Sequence, residues 1–296
     1  INQNKTKMKK IILIAFLVAS FSNFAQNITI NISNKITIAD TNFLKALIKE
    51  GVDKNNDGFI QINEAKAITK LKISSAKITD LTGIEYFVQL TSLFCENNQL
   101  TSLDLSANIA LKGLYCFENQ LTNLNLSKCS YLGRVNCSKN KIISLDLSNN
   151  VNLMELSCQN NKLTNLKTNS NRLLYLNCSN NKLKEINLNQ TKKLNRLLCS
   201  NNKLTNLDIK INANLTYLSC YKNQLTSLDV SQNKKLNKIF CKKNQLKHLN
   251  VSNNTILKKL DCSNNEMLKI ICISPSSNTT KWKKDNIADY STTCQN

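Results

Sequence analysis

The chain has almost none of the residues that usually punctuate a fold. Its 296 residues include one proline, five glycines, one histidine and one tryptophan. Turns must be built without the common breakers. Asparagine is suited to replace them, because it tolerates left-handed backbone and bonds its own main chain. Also missing are G-x-S-x-G, H-E-x-x-H, any C-x-x-C pair and a phosphate-cradling glycine loop. The one histidine, His248, stands among lysines and is expected on a solvated surface. Nothing in this inventory points to catalysis, so no enzyme activity is expected. No apolar run reaches the roughly 18 residues of a permanent membrane span.

What the chain does have is a period. Cysteines stand at 95, 116, 137, 158, 178, 199, 220, 241 and 262, stepping by 21 except for one step of 20. Three residues after each comes an asparagine, from Asn98 to Asn265. A fixed period over so long a stretch signals a solenoid, in which each unit buries its apolar face against its neighbours. Alternation around each cysteine predicts a short strand with Leu and Cys pointing inward, stacked on the next about 4.8 Å away. The second half of each unit, L-T-x-L-D-L-S as in Leu100–Ser106, alternates too and predicts a second extended edge. Leu163–Asn171 is degenerate and one residue short, so a local bulge or bend is expected there.

The pattern L-x-x-L-x-C-x-x-N-x-L resembles the leucine-rich repeat in its short bacterial class of 21 residues. That resemblance implies a solenoid with short parallel strands on a concave face, an irregular convex side and a small helical N-terminal cap. Ile68–Gln89 resembles the first repeats of internalin-like proteins, without the cysteine or asparagine.

The cysteine ladder is expected to fill the core with free thiols. Neighbouring cysteines on parallel strands sit about 4.8 Å apart with parallel Cβ vectors, unlike the convergent pair a disulfide needs. One thiol per strand in a dry core also makes a poor metal site. Cys129 falls outside this ladder and reads as an extra free thiol. Cys272 and Cys294 fall outside it as well and flank Trp282 and the only proline, Pro275. In an exported chain a disulfide between them would shield the open end of the core. The segment resembles the C-terminal capping piece of secreted Bacteroidota leucine-rich-repeat proteins. Such proteins often continue into a sorting domain, which is not read here.

Export is expected from Met8–Gln26, where two lysines, the apolar run Ile11–Ala19 and a small-residue exit read as a signal peptide. The leader resembles those of Bacteroidota, and Ile1–Lys7 reads as an upstream extension. The domain reading is therefore 1–26 upstream residues and signal, 27–67 N-terminal cap, 68–271 about ten repeats, and 272–296 a disulfide cap. The expected location is extracellular or at the cell surface, with the periplasm as the other option.

Asp40 reads as an N-cap for the helix that follows it. Behind that helix, Asp53–Glu64 (DKNNDGFIQINE) matches the calcium-loop pattern D-x-[DN]-x-[DN]-G-x5-E at every required position. Ca²⁺ takes six to eight hard oxygens from a curled backbone. Asp53, Asn55 and Asp57 would point inward, the Phe59 carbonyl and Gln61 would add oxygens, and Glu64 would close the shell. Calcium sensors usually pair two such loops and this chain has one, so the expected role is a structural Ca²⁺ stiffening the cap.

The letters that vary between repeats are the candidates for function. On the outward side of the strands, Phe94, Tyr115 and Phe117 form one aromatic cluster. Tyr175, Arg196, Leu198, Tyr217, Tyr221, Lys238, Phe240 and Lys242 form a second. Aromatics mixed with Arg and Lys have the composition of binding hot spots. The leading expectation is a monomeric recognition module binding a protein or peptide on this face. The net charge of +21, or +17 without residues 1–26 (36 Lys+Arg against 19 Asp+Glu), keeps open an acidic glycan or other polyanion as partner. A structural fragment of an adhesin is the third reading.

Overall fold

Asparagine three residues past each cysteine does for the backbone what proline and glycine do elsewhere. In each turn its side chain closes the bend and ties it to the turn before. Asn119 donates through Nδ2 to the carbonyls of Cys95 (3.0 Å) and Cys116 (3.2 Å), and its Oδ1 accepts from the Leu100 amide at 3.0 Å. Asn140, Asn161, Asn181, Asn202, Asn223, Asn244 and Asn265 repeat the arrangement. One residue earlier the backbone is left-handed at every turn, from Asn97 (φ 55°) to Asn264 (φ 56°). Asparagine fills five of those nine positions, and Glu118, Lys139, Lys222 and Lys243 fill the rest.

The computed structural model describes residues 34–294, and the signal-peptide reading at Met8–Gln26 lies outside them. Three-residue strands stack in parallel into one ten-stranded sheet. Its members are β1 (Lys70–Lys72), β2 (Ser92–Phe94), β3 (Gly113–Tyr115), β4 (Arg134–Asn136), β6 (Glu155–Ser157), β8 (Tyr175–Asn177), β9 (Arg196–Leu198), β10 (Tyr217–Ser219), β11 (Lys238–Phe240) and β13 (Lys259–Asp261), in that order. Each strand turns its middle leucine, valine or isoleucine inward, and the cysteine that follows, or Ile73 after β1, joins it in the core. Burying one such aliphatic side chain contributes about 1.5–3 kcal/mol, and the core is a column of them.

The cysteines are free and buried as the ladder reading requires. Burial pushes the Cys137, Cys178 and Cys220 thiols up to about 12, so they stay protonated and unreactive. Cys129 is a free thiol too, but it is not an extra. It occupies a second polar ladder on the side away from the sheet, formed by Asn108, Asn150, Asn212, Asn233 and Asn254. There Asn150 donates to the carbonyls of Leu126 (3.1 Å) and Cys129 (2.8 Å). Cys129 Sγ takes the same place, 3.5 Å from the Leu105 carbonyl, and Ser170 Oγ reaches Val151 and Leu153.

The second half of the unit is extended mostly without forming strands. One regular pair there is β5 (Ser144–Leu147) on β7 (Asn165–Thr168), at the degenerate unit where a bulge was expected. The sheet crosses that unit in register, with Glu155, Leu156 and Ser157 opposite Tyr175, Leu176 and Asn177. The missing residue is absorbed beyond Thr168, on the irregular side.

The exit segment is a further turn of the coil as well as a cover. β12 (Leu249–Asn250), β14 (Ile270–Cys272) and β15 (Asp289–Ser291) stack in parallel, and Lys283 bridges to Asp261 on the main sheet. The Cys272–Cys294 disulfide forms, 22 residues apart in sequence. Trp282, 8% exposed, lies edge-on to Tyr290 with ring centroids 5.9 Å apart.

At the other end, α1 (Thr41–Lys49) buries Phe43 and Leu47 over the first turn. Asp40 caps it, accepting from Asn42 and Phe43 amides, and its other oxygen accepts from the Thr79 amide and hydroxyl at 2.7 and 2.6 Å. Burial raises the Asp40 pKa, but these donors outweigh it and bring the carboxyl down to about 2. The cap is thus bolted to the first repeat by one carboxylate.

Candidate binding face

Because a strand alternates, the residues flanking each inward leucine face outward, and in-register pairing sets them in columns along the solenoid. One column runs Tyr175, Arg196, Tyr217, Lys238, Lys259. The Arg196 guanidinium lies between two rings, 5.8 Å from Tyr175 and 5.0 Å from Tyr217. Tyr217 tilts against Phe240 of the next column at 5.6 Å, and the Lys259 ammonium stands 5.4 Å over Phe240. Lys242 approaches Tyr221 at 5.7 Å while pairing with Asp261 at 3.6 Å. Each exposed cation–ring contact is worth about 0.5–1 kcal/mol; together they hold long side chains in one arrangement before any ligand arrives. Leu198 and Lys238 face the same way but join no ring contact among the described residues.

In the first cluster Phe94 and Tyr115 stack nearly parallel, centroids 4.6 Å apart, with Lys70 at 5.5 Å from the Phe94 ring. Gly113 makes room for this: a Cβ there would meet the Tyr115 ring at 3.4 Å. Phe117 is half-buried one turn-end away and stacks on neither ring. The two clusters are separated by an Arg134–Glu155 ion pair at 3.3 Å. An open groove of about 620 Å³ fronts the first cluster and one of about 600 Å³ fronts Tyr175 and Arg196. A larger groove of about 780 Å³, lined by Thr82, Thr101, Asp104 and neighbours, lies off the sheet face and carries no aromatic. Lys70 and Lys259 complete the two clusters beyond the residues singled out from the sequence. The alternation of Lys70-Leu71-Lys72 was the signal for Lys70, one period ahead of Ser92 but lacking the cysteine that marks the others.

The 53–64 loop is curled by left-handed Asn56 and Gly58. Asp53 Oδ2 accepts from Gly58 at 2.9 Å, and Glu64 reaches back to the Lys54 (2.7 Å) and Gln61 (2.9 Å) amides. Both carboxylates are buried, at 7% and 6% exposure, and no cationic side chain touches either among the described residues. Lys35 pairs instead with Asp57, 3.5 Å away. The Asp57 carboxyl is lowered: burial raises it, and the Phe59 amide, Gln61, Lys35 and Asn55 together outweigh that. Buried carboxylates without a cation, in a loop whose oxygens turn inward, fit a hard divalent ion. Those carboxylates hold backbone amides, and no three His, Cys, Asp or Glu side chains are gathered as a metal cluster among the described residues. The segment before α1 lies along the loop's short strand, with Ile36 bonded to Ile60 and Ile62 to Asn34.

Parallel three-residue strands, one per 21-residue turn, with a cysteine–asparagine edge, define a leucine-rich-repeat protein. Its neighbours among solved structures are internalin-like. The functional domain of InlJ from Listeria monocytogenes, described as including a cysteine ladder, is 33% identical over 77% of this chain and 56% of its own, with a TM-score of 0.59. The chain thus spans little more than half that structure's length. Two others share the fold: internalin C2 of L. monocytogenes (21% identity, 69% and 93% covered, TM-score 0.62) and YopM of Yersinia pestis (22%, 70% and 60%, 0.54). No family model and no curated protein matches the sequence. No helix among the described residues is long and apolar enough to cross a membrane.

Proposed function

We propose that this is an exported recognition protein whose sheet face binds a protein or peptide, with the second aromatic–basic cluster as its anchor. The observation that carries this reading is the ordered stack Tyr175–Arg196–Tyr217–Phe240–Lys259. Rings and cations already held against one another lose little side-chain freedom on binding, and such residues dominate interface energies. Protein binding is the general use of the fold, whereas the ligand is set by the variable letters. In a pull-down from surface extracts, Tyr217→Ala/Phe240→Ala should recover at least tenfold less of the partners enriched by the wild type. Lys210→Gln, on the other side of the coil, should recover them in full. Equal recovery by the double variant would refute the face assignment. Aromatic anchoring should also survive high salt, which a polyanion complex would not.

The 53–64 loop would hold one structural Ca²⁺ through Asp53, Asn55, Asp57, the Phe59 carbonyl, Gln61 and Glu64. The ion would neutralise the two buried carboxylates and lock the cap over the first turn. Titration calorimetry on chelator-stripped protein should show one site. At a hundredfold excess over Kd the ion should add about 2.7 kcal/mol of stability, and Glu64→Ala should abolish both effects. Absence of binding heat in the wild type would sink this assignment.

A further inference from the structure

We propose a second binding surface, on the rim where the strands end: a lysine ladder that takes a linear acidic glycan carrying one carboxylate per sugar ring. This goes beyond the sheet-face reading and uses none of its residues.

Four residues past the ladder cysteine, successive turns carry Gln99, Gln120, Lys141, Lys162, Lys182, Lys203, Gln224 and Gln245. The backbones of these turns are bonded in sequence, Lys162 to Ile142 at 2.9 Å, Lys182 to Leu163 at 2.8 Å and Lys203 to Leu183 at 2.8 Å. The four lysines are therefore set one per turn, about 4.8 Å apart, and all are exposed. Elsewhere the coil pairs opposite charges across turns, as in Arg134–Glu155, Lys167–Asp146 and Lys210–Asp229. This is the longest run of one sign in a column. Lys141 donates to Gln120, while Lys162, Lys182 and Lys203 meet no acceptor among the described residues. The rim segments 159–165, 179–185 and 200–206 contain a single acid, Glu185. A row of mutually repelling ammonium groups with no acid between them is complementary to a row of anions at the same pitch.

Beside the lysines runs a row of amides. Asn201 donates to Asn180 and Asn180 to Asn160, each at 2.7 Å. Amides facing solvent offer donors and acceptors suited to sugar hydroxyls. In a 1→4-linked polyuronide each ring brings one carboxylate and its hydroxyls and advances the chain by close to one strand spacing; carboxylates of successive rings turn to different sides, so the long lysine side chains must reach them from both flanks. The phosphates of a stacked nucleic-acid strand advance about 3.4 Å per nucleotide along its axis while winding around it, and so fall out of step with a straight row of lysines within a few turns.

The test is calorimetry with an octamer of (1→4)-linked uronic acid against the full chain. Wild type should bind it and not its methyl ester. Lys162→Gln/Lys182→Gln should weaken binding at least tenfold, while Lys210→Gln/Lys234→Gln and Tyr217→Ala/Phe240→Ala leave it unchanged. These are exposed positions, and an unaltered Trp282 emission would verify that each variant is folded. Failure of the octamer to bind, equal binding of the ester, equal affinity of the two lysine variants, or tighter binding of single-stranded DNA or polyphosphate would each overturn the proposal.

Discussion

Asn140→Ala should destabilise the protein by about 2–6 kcal/mol and split its unfolding into two transitions. The alanine would strand the Leu121 amide, which Asn140 serves from a buried position, and would remove one of the two amide donors on each of the Cys116 and Cys137 carbonyls, leaving them Asn119 and Asn161. A buried amide left without a partner costs about 1–3 kcal/mol, and each hydrogen bond lost from a carbonyl that keeps another donor costs about 0.5–1.5 kcal/mol. The loss falls at one interface. Since a solenoid's stability is a sum over units and nearest-neighbour contacts, the array should break there, leaving two blocks that unfold separately. Urea unfolding followed by circular dichroism would show this as a biphasic curve. Cys137→Ala, which removes only a buried sulfur on the same turn, should leave a single transition. A single transition for Asn140→Ala, shifted by less than 1 kcal/mol, would mean that the ladder is ornamental.

Opening the Cys272–Cys294 bridge should cost about 3 kcal/mol by releasing a loop of this length, and the effect should be confined to the exit turn. Trp282 is the chain's one tryptophan and lies under that turn, so its fluorescence reports on it alone. With Cys272→Ser/Cys294→Ser, or after reduction, the Trp282 emission should shift to the red at a lower temperature than that at which the sheet signal melts. The same protein offers an internal control. The ladder thiols are buried with raised pKa values, so native reduced protein should take up two alkylating groups and no more. Coincident tryptophan and sheet transitions would place the bridge outside the stability of the last turn.

The sheet was legible because its determinants recur: a cysteine, an asparagine and two leucines in phase need no knowledge of distant contacts. Outward columns followed from the same phase. What escaped the sequence did so where that phase is broken or shared among different residue types. The second polar ladder is interrupted by Cys129, Ser170 and Thr191: the Cys129 sulfur reaches the equivalent carbonyls of the turn before, the Ser170 hydroxyl reaches those of Val151 and Leu153, and the Thr191 hydroxyl bonds Leu188 in its own turn. A reading that followed identity rather than hydrogen-bonding capacity could not join them. The exit turn was hidden because its register steps, Leu249 to Ile271 and Ile271 to Tyr290, depart from 21. The side-chain stack around Arg196 depends on rotamers, which columns restrict without fixing. The spacing of the 53–64 loop was plain, yet the segment that pairs with it, 34–36, carries no motif at all.

The short unit at 158–178 shows where this architecture is free to change. One residue is gone, and the strands on either side still meet residue for residue. Length on the irregular side is therefore decoupled from phase on the sheet. Descendants of such a gene could trim or lengthen that side, or gain and lose whole units by unequal crossing-over, without scrambling the order in which surface letters are presented. The protein then behaves like a tape whose backing can be spliced while the print stays aligned, and the reach of its binding surfaces would scale with the number of turns inherited.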